Sequence, residues 1–154
     1  MRRRFDWRAD DGQVAGIEAI PLGILLFVVG ALLVANAWAV IDAKMAVTSA
    51  SREAARTFVE STDPANARDY ALAAAREAID SYGRNSNRLT LTGGEGNALT
   101  RCNRVTFTAS YPVPALTLPF IGGFGAGFTV SAAHTEVVDP FRDRNDDAGE
   151  AVCG

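Results

Sequence analysis

Histidine occurs once, lysine once and cysteine twice in these 154 residues. A structural zinc site takes four ligands, and two cysteines with one histidine cannot supply them. His134 has no nucleophile or orienting group placed beside it by a recognisable motif, so no catalytic constellation is legible. No enzymatic activity, cofactor, metal or small-molecule substrate is expected. Charge of one sign is also scarce: 15 basic residues against 18 acidic ones leave a net charge of −3, with the basic residues scattered along the chain. A nucleic-acid partner calls for a concentrated basic surface, and none is expected here.

Two motifs fail on a missing residue. The run Gly122-Gly123-Phe124-Gly125-Ala126-Gly127 has neither the Lys-Ser/Thr nor the following helix that a phosphate cradle needs, and a strand pattern comes after it instead. Asp143-Arg144-Asn145-Asp146-Asp147 has the alternating acids of a calcium loop. Ala148 stands where the sharp-turn glycine belongs, and Gly154 where the closing glutamate belongs.

The most informative absence is of formal charge, over the 23 residues from Ala19 to Ile41. A bilayer core needs roughly 20 apolar helical residues, so this run is long enough to cross one. No glycine or proline falls between Ala31 and Thr62, and the helix is expected to continue past the apolar run. A cleaved signal peptide is a competing reading, with Ala35-Asn36-Ala37 as a small-x-small site. Asp6, Asp10, Asp11 and Glu18 spoil its basic n-region, and the helix pattern runs through Ala37 without a break. Arg2, Arg3, Arg4 and Arg8 precede the span, against Lys44, Arg52 and Arg56 after it, which places the N-terminus in the cytoplasm and the rest outside.

What is present past Ile41 reads as an α+β domain. Val47, Ala50, Ala54 and Phe58 fall at helical spacing, opposite the polar row Arg52, Arg56 and Glu60. Asp63-Pro64 is expected to cap and start a second helix, with Leu72, Ala75, Ile79 and Tyr82 as its apolar stripe and Gly83 as its C-terminal cap. An alanine-rich face, including Ala71, Ala75 and Ala78, would let it approach the first helix closely. From Arg84 the composition turns to strand and turn residues. Leu89 and Leu91 alternate with threonines, Gly93–Asn97 is a turn, and a return strand is expected near Ala98–Asn103. Arg104–Tyr111 is the clearest half-buried strand, ended by Pro112-Val113-Pro114, and Phe128–Val138 is another. The organisation is thus a leader over 1–18, a span over 19–41, an extracytoplasmic domain over 42–138 and a charged tail over 139–154.

Four sets of residues carry functional readings. Glu18, a carboxylate at the lip of an apolar helix, is costly to dehydrate there and so marks either function or a headgroup-level residue near the helix N-terminus. The apolar loop containing Leu116, Leu118, Phe120, Ile121 and Phe124 is a candidate contact with a membrane surface or a partner subunit. Cys102 and Cys153 both lie on the far side of the span, where a disulfide can persist. Pairing them would close a loop of about 50 residues, contributing about 4 kcal/mol, and two free thiols are the alternative. Arg52, Glu53 and Arg56 stand on the wet face of the long helix, available to a neighbour.

Taken in order, Asp11-Gly12-Gln13-Val14-Ala15-Gly16-Ile17-Glu18 before the span, Ser49-Ala50-Ser51-Arg52-Glu53-Ala54-Ala55-Arg56 after it, and the β segment Arg104–Pro114 resemble the TadE-like family of tight-adherence (Tad) pilus assembly proteins, which are minor pilins or pseudopilins. The resemblance covers most of residues 11–138. It implies a bacterial inner-membrane protein with a pilin-like extracytoplasmic domain, working beside other pilin subunits and an assembly platform by helix packing. Family members that resemble prepilins are cut after a glycine so that a glutamate stands at mature position five. Cutting after Gly12 here makes Gln13 the new terminus and puts Glu18 at position six. A secreted or tethered binding domain unconnected with pili is the alternative from another class.

Overall fold

The computed structural model of the chain describes residues 15–95, 99–114, 117–118, 122–123 and 127–141. The architecture is α+β, in the order α1 (Ala15–Glu60), α2 (Ala67–Ser81), a 3₁₀ turn (Ser86–Arg88), β1 (Thr90–Gly93), β2 (Arg104–Val113), β3 (Thr117–Leu118), β4 (Gly122–Gly123) and β5 (Phe128–Val137). The chain divides into two compact units, Met1–Trp38 and Ala39–Gly154, and α1 passes through both.

In the first unit α1 carries large apolar side chains in the open. Leu26, Phe27, Val34 and Trp38 are each more than three-fifths exposed. Asn36 returns its side-chain amide to the Leu32 carbonyl at 3.0 Å, so this polar group is satisfied on its own helix. Pro21 lies within α1 and has no N–H to give the carbonyl four residues back. Among the described residues one helix is long and apolar enough to cross a membrane, and none of its most apolar stretch is buried within the chain.

In the second unit the same helix becomes a core element. Ala46, Val47, Ala50, Ala54, Ala55 and Phe58 are buried, while Arg52, Arg56 and Glu60 stay exposed, as the 3.6-residue period dictates. Against this face pack Ala67, Ala71, Ala75, Ala78 and Ile79 of α2 and the inward row Val105, Phe107, Ala109 and Tyr111 of β2, all in one cluster. Alanine on both helices removes the bulk that would hold their axes apart. Phe58 and Phe107 fill the volume that the small residues leave; their ring centroids are 5.2 Å apart at 60°. Tilted pairs of this kind set the positive edge of one ring against the negative face of the other.

The sheet has the order β1-β2-β5, antiparallel throughout, with Phe107 opposite both Gly93 and His134. Beyond the ladder, the Cys102 N–H reaches the Val138 carbonyl at 3.0 Å and the Val138 N–H reaches the Asn103 carbonyl at 2.9 Å. Gly93 has a φ of 123°, and a Cβ there would run into the Thr106 carbonyl, so only glycine lets β1 close onto β2. The Gly122–Gly127 run contributes β4, which pairs with β3 as a small antiparallel hairpin.

Four expectations are corrected. First, α2 starts at Ala67, not next to Pro64. The Asp63 carboxylate accepts from the Ala65 N–H at 3.0 Å and from the Asn66 side chain at 2.6 Å, so it closes a turn before the helix and leaves the cap position to Asn66. Second, the buried stripe of α2 is rotated: Leu72 is half-buried and Tyr82 is 40% exposed, while Ala67, Ala71 and Ala78 take the interior positions. Third, no strand forms over 99–103, where Leu99 is buried and Cys102 takes a left-handed φ of 63°. Fourth, β2 runs through Pro112 to Val113. β1 ends opposite Ser110, so from Tyr111 onward only β5 lies beside β2, and a proline with no N–H is tolerated on an edge. The Gly83 cap forms as expected: at φ 68° its N–H bonds the Asp80 carbonyl and the Arg84 N–H bonds the Ile79 carbonyl.

Phe107→Ala should destabilise the second unit by about 3–5 kcal/mol in denaturant unfolding, because the rings of Phe58 and its neighbours cannot refill the space. Hydrogen bonds from Asn66 and from the backbone at Ala65 hold the Asp63 carboxyl below its ordinary range. A depressed carboxylate contributes stability that is present at neutral pH and lost as pH falls through its folded value. Asp63→Ala should therefore lower the melting temperature at pH 7 and make no difference in strong acid, as read by circular dichroism melts at both pH values.

Candidate functional site

The wet face of α1 in the second unit carries Arg52, Glu53 and Arg56 of the predicted assembly residues, while Glu18 belongs to the first unit. Arg56 Nε meets Glu60 Oε1 at 3.0 Å, one helical turn on, with both side chains about two-thirds exposed. The hydrogen bond and charge of Glu60, then the charges of Glu53 and Glu136, raise the Arg56 guanidinium above its ordinary value. So exposed a pair adds little to stability and leaves the guanidinium presented outward. One turn before, Arg52 and Glu53 line a shallow groove of about 420 Å³ with Lys44, Thr48, Ser49 and Tyr82. The Thr48 hydroxyl is spent on the Lys44 carbonyl at 2.7 Å. Charges of both signs along an open groove suit a partner's polar surface.

Sequence reasoning missed the contact that ties α1 to the end of α2. Arg84 reaches Asp42 Oδ2 through Nε at 3.0 Å and through one terminal nitrogen at 2.6 Å, and that nitrogen also donates to the Ala39 carbonyl at 3.1 Å. The Arg84 side chain is 16% exposed and that of Asp42 34%. Its guanidinium also lies 5.6 Å from the centre of the Tyr111 ring, and that of Arg88 lies 5.7 Å from the same ring. A guanidinium serves here where an ammonium would not, since its planar fork bonds two acceptors while its face meets a ring. The available signal was that Asp42 is the first charge after the apolar run and Arg84 the residue after the helix-ending glycine.

His134 is not alone. Strand alternation puts Glu136 on the same face, and the two meet at 2.9 Å, both side chains about a third exposed. They continue the inward row of Val130 and Ala132 on β5 beyond the apolar core. Among the described residues no group of three or more His, Cys, Asp or Glu side chains could hold a metal ion.

The remaining candidates are only partly placed. Glu18 lies on the first turns of α1. Gly12, Gln13, Leu116, Phe120, Ile121, Phe124, Cys153 and the run Asp143–Asp147 lie outside the described residues, while Leu118 stands in β3. Cys102 is not a free thiol. In the first unit, Gly30, Ala31 and Ala35 leave a hollow between Leu26, Phe27, Val34 and Trp38 on the exposed apolar face of α1.

Asp42→Ala should cost the fold about 2 kcal/mol, because it leaves a mostly buried guanidinium without its strongest acceptor. The double variant Asp42→Ala with Arg84→Met should cost less than the sum of the two single changes; strict additivity in denaturant unfolding would show that the pair is uncoupled. No family model matches the chain, and neither a curated protein nor a solved structure matches it.

Proposed function

We propose that this chain is a single-pass component of a Tad-type pilus assembly or secretion system, similar to a minor pilin or pseudopilin. It acts by helix packing and partner binding and performs no chemistry. The observation that carries the reading is the division of one 46-residue helix. Its first part exposes a charge-free apolar surface, and its second is the core of an α+β domain. A helix with this division anchors a folded head to lipid and offers its apolar part to other helices. In this reading the N-terminus is cytoplasmic and the head lies outside the bacterial cytoplasmic membrane.

The resemblance of residues 11–18, 49–56 and 104–114 to TadE-like proteins supplies the pilus context. Support for helix packing comes from the hollow at Gly30, Ala31 and Ala35, where small residues let a neighbouring backbone approach. Pairing of Cys102 with Cys153 belongs to the same reading. The Cys102 N–H is bonded to the Val138 carbonyl, so the segment that leads on in sequence to Cys153 starts beside Cys102.

No atom within 4 Å would meet a Cβ at Gly30. Gly30→Leu with Ala35→Leu should therefore leave the head's melting temperature unchanged while reducing cross-linking to other pilin subunits in the native membrane; unchanged cross-linking would refute the packing role. Intact mass of the membrane-extracted protein tests processing. Loss of Met1–Gly12 is the expected result if Gln13 becomes the terminus and pairs its amine with Glu18 of a neighbour, and a mass that includes Met1–Gly12 rules this out.

A further inference from the structure

We draw no further inference here: the strongest candidate, the outer face of the three-stranded sheet, where the side-chain hydroxyls of Thr92 and Thr108 and of Thr106 and Thr135 stand in register, carries nothing because nothing in the structure shows what covers it.

Discussion

One helix changes character along its length, and the fold of the second unit depends on how it does so. Up to Ile41 α1 carries no charge and exposes its large side chains; from Asp42 on, it turns one stripe inward and one outward. The inward stripe is alanine apart from Val47, Ser51 and Phe58. Small side chains bury little area each, so a core built on them gains most where large groups interlock. Phe107 and Ile79 are the largest fully buried side chains, and Phe107 meets Phe58 at the point where α1, β1 and β2 converge.

The alternation of Val105, Phe107, Ala109 and Tyr111 with polar residues fixed the identity and inward face of β2, because a period of two can satisfy one buried face only. The period of α1 was equally plain at Val47, Ala50, Ala54 and Phe58, all of them buried, while Ser51 and Ala55 are buried beside them without having been expected. Boundaries were harder. Asp63-Pro64 has the composition of a helix start, but the carboxylate found nearer donors at Ala65 and Asn66 and spent itself on a turn. Pro112 reads as a strand breaker because sequence does not reveal that β1 has ended by then. Tyr82 has helical spacing for burial, yet it falls at the last turn of α2, past the end of the core.

The close approach of α2 to α1 was legible in its alanines, but the pairing of polar residues far apart in the chain was not. Nothing local in Asp42 or Arg84 announces that they meet 42 residues apart, or that Tyr111 completes the arrangement. The partnership of His134 with Glu136 was within reach, since residues two apart on a strand share a face. The only lysine has a similar history. Lys44 donates to the Ser131 carbonyl of β5, an edge strand of the sheet, and a charged side chain at an edge discourages pairing with another chain.

The placement of Asp42 links these contacts to the organisation of the whole chain. Asp42 stands one residue past the charge-free run, and by itself it would only mark where that run ends. Bonded by Arg84, it also fixes the level of the C-terminus of α2, and through Tyr111 the level of the sheet's lower end. Sliding the head along α1 by one turn would pull the guanidinium from both Asp42 and the Ala39 carbonyl and bury it unpaired, a far greater loss than that of an exposed pair such as Arg56 with Glu60. The same residue that ends the apolar run therefore fixes the register of α2 and the sheet on α1 within the second unit.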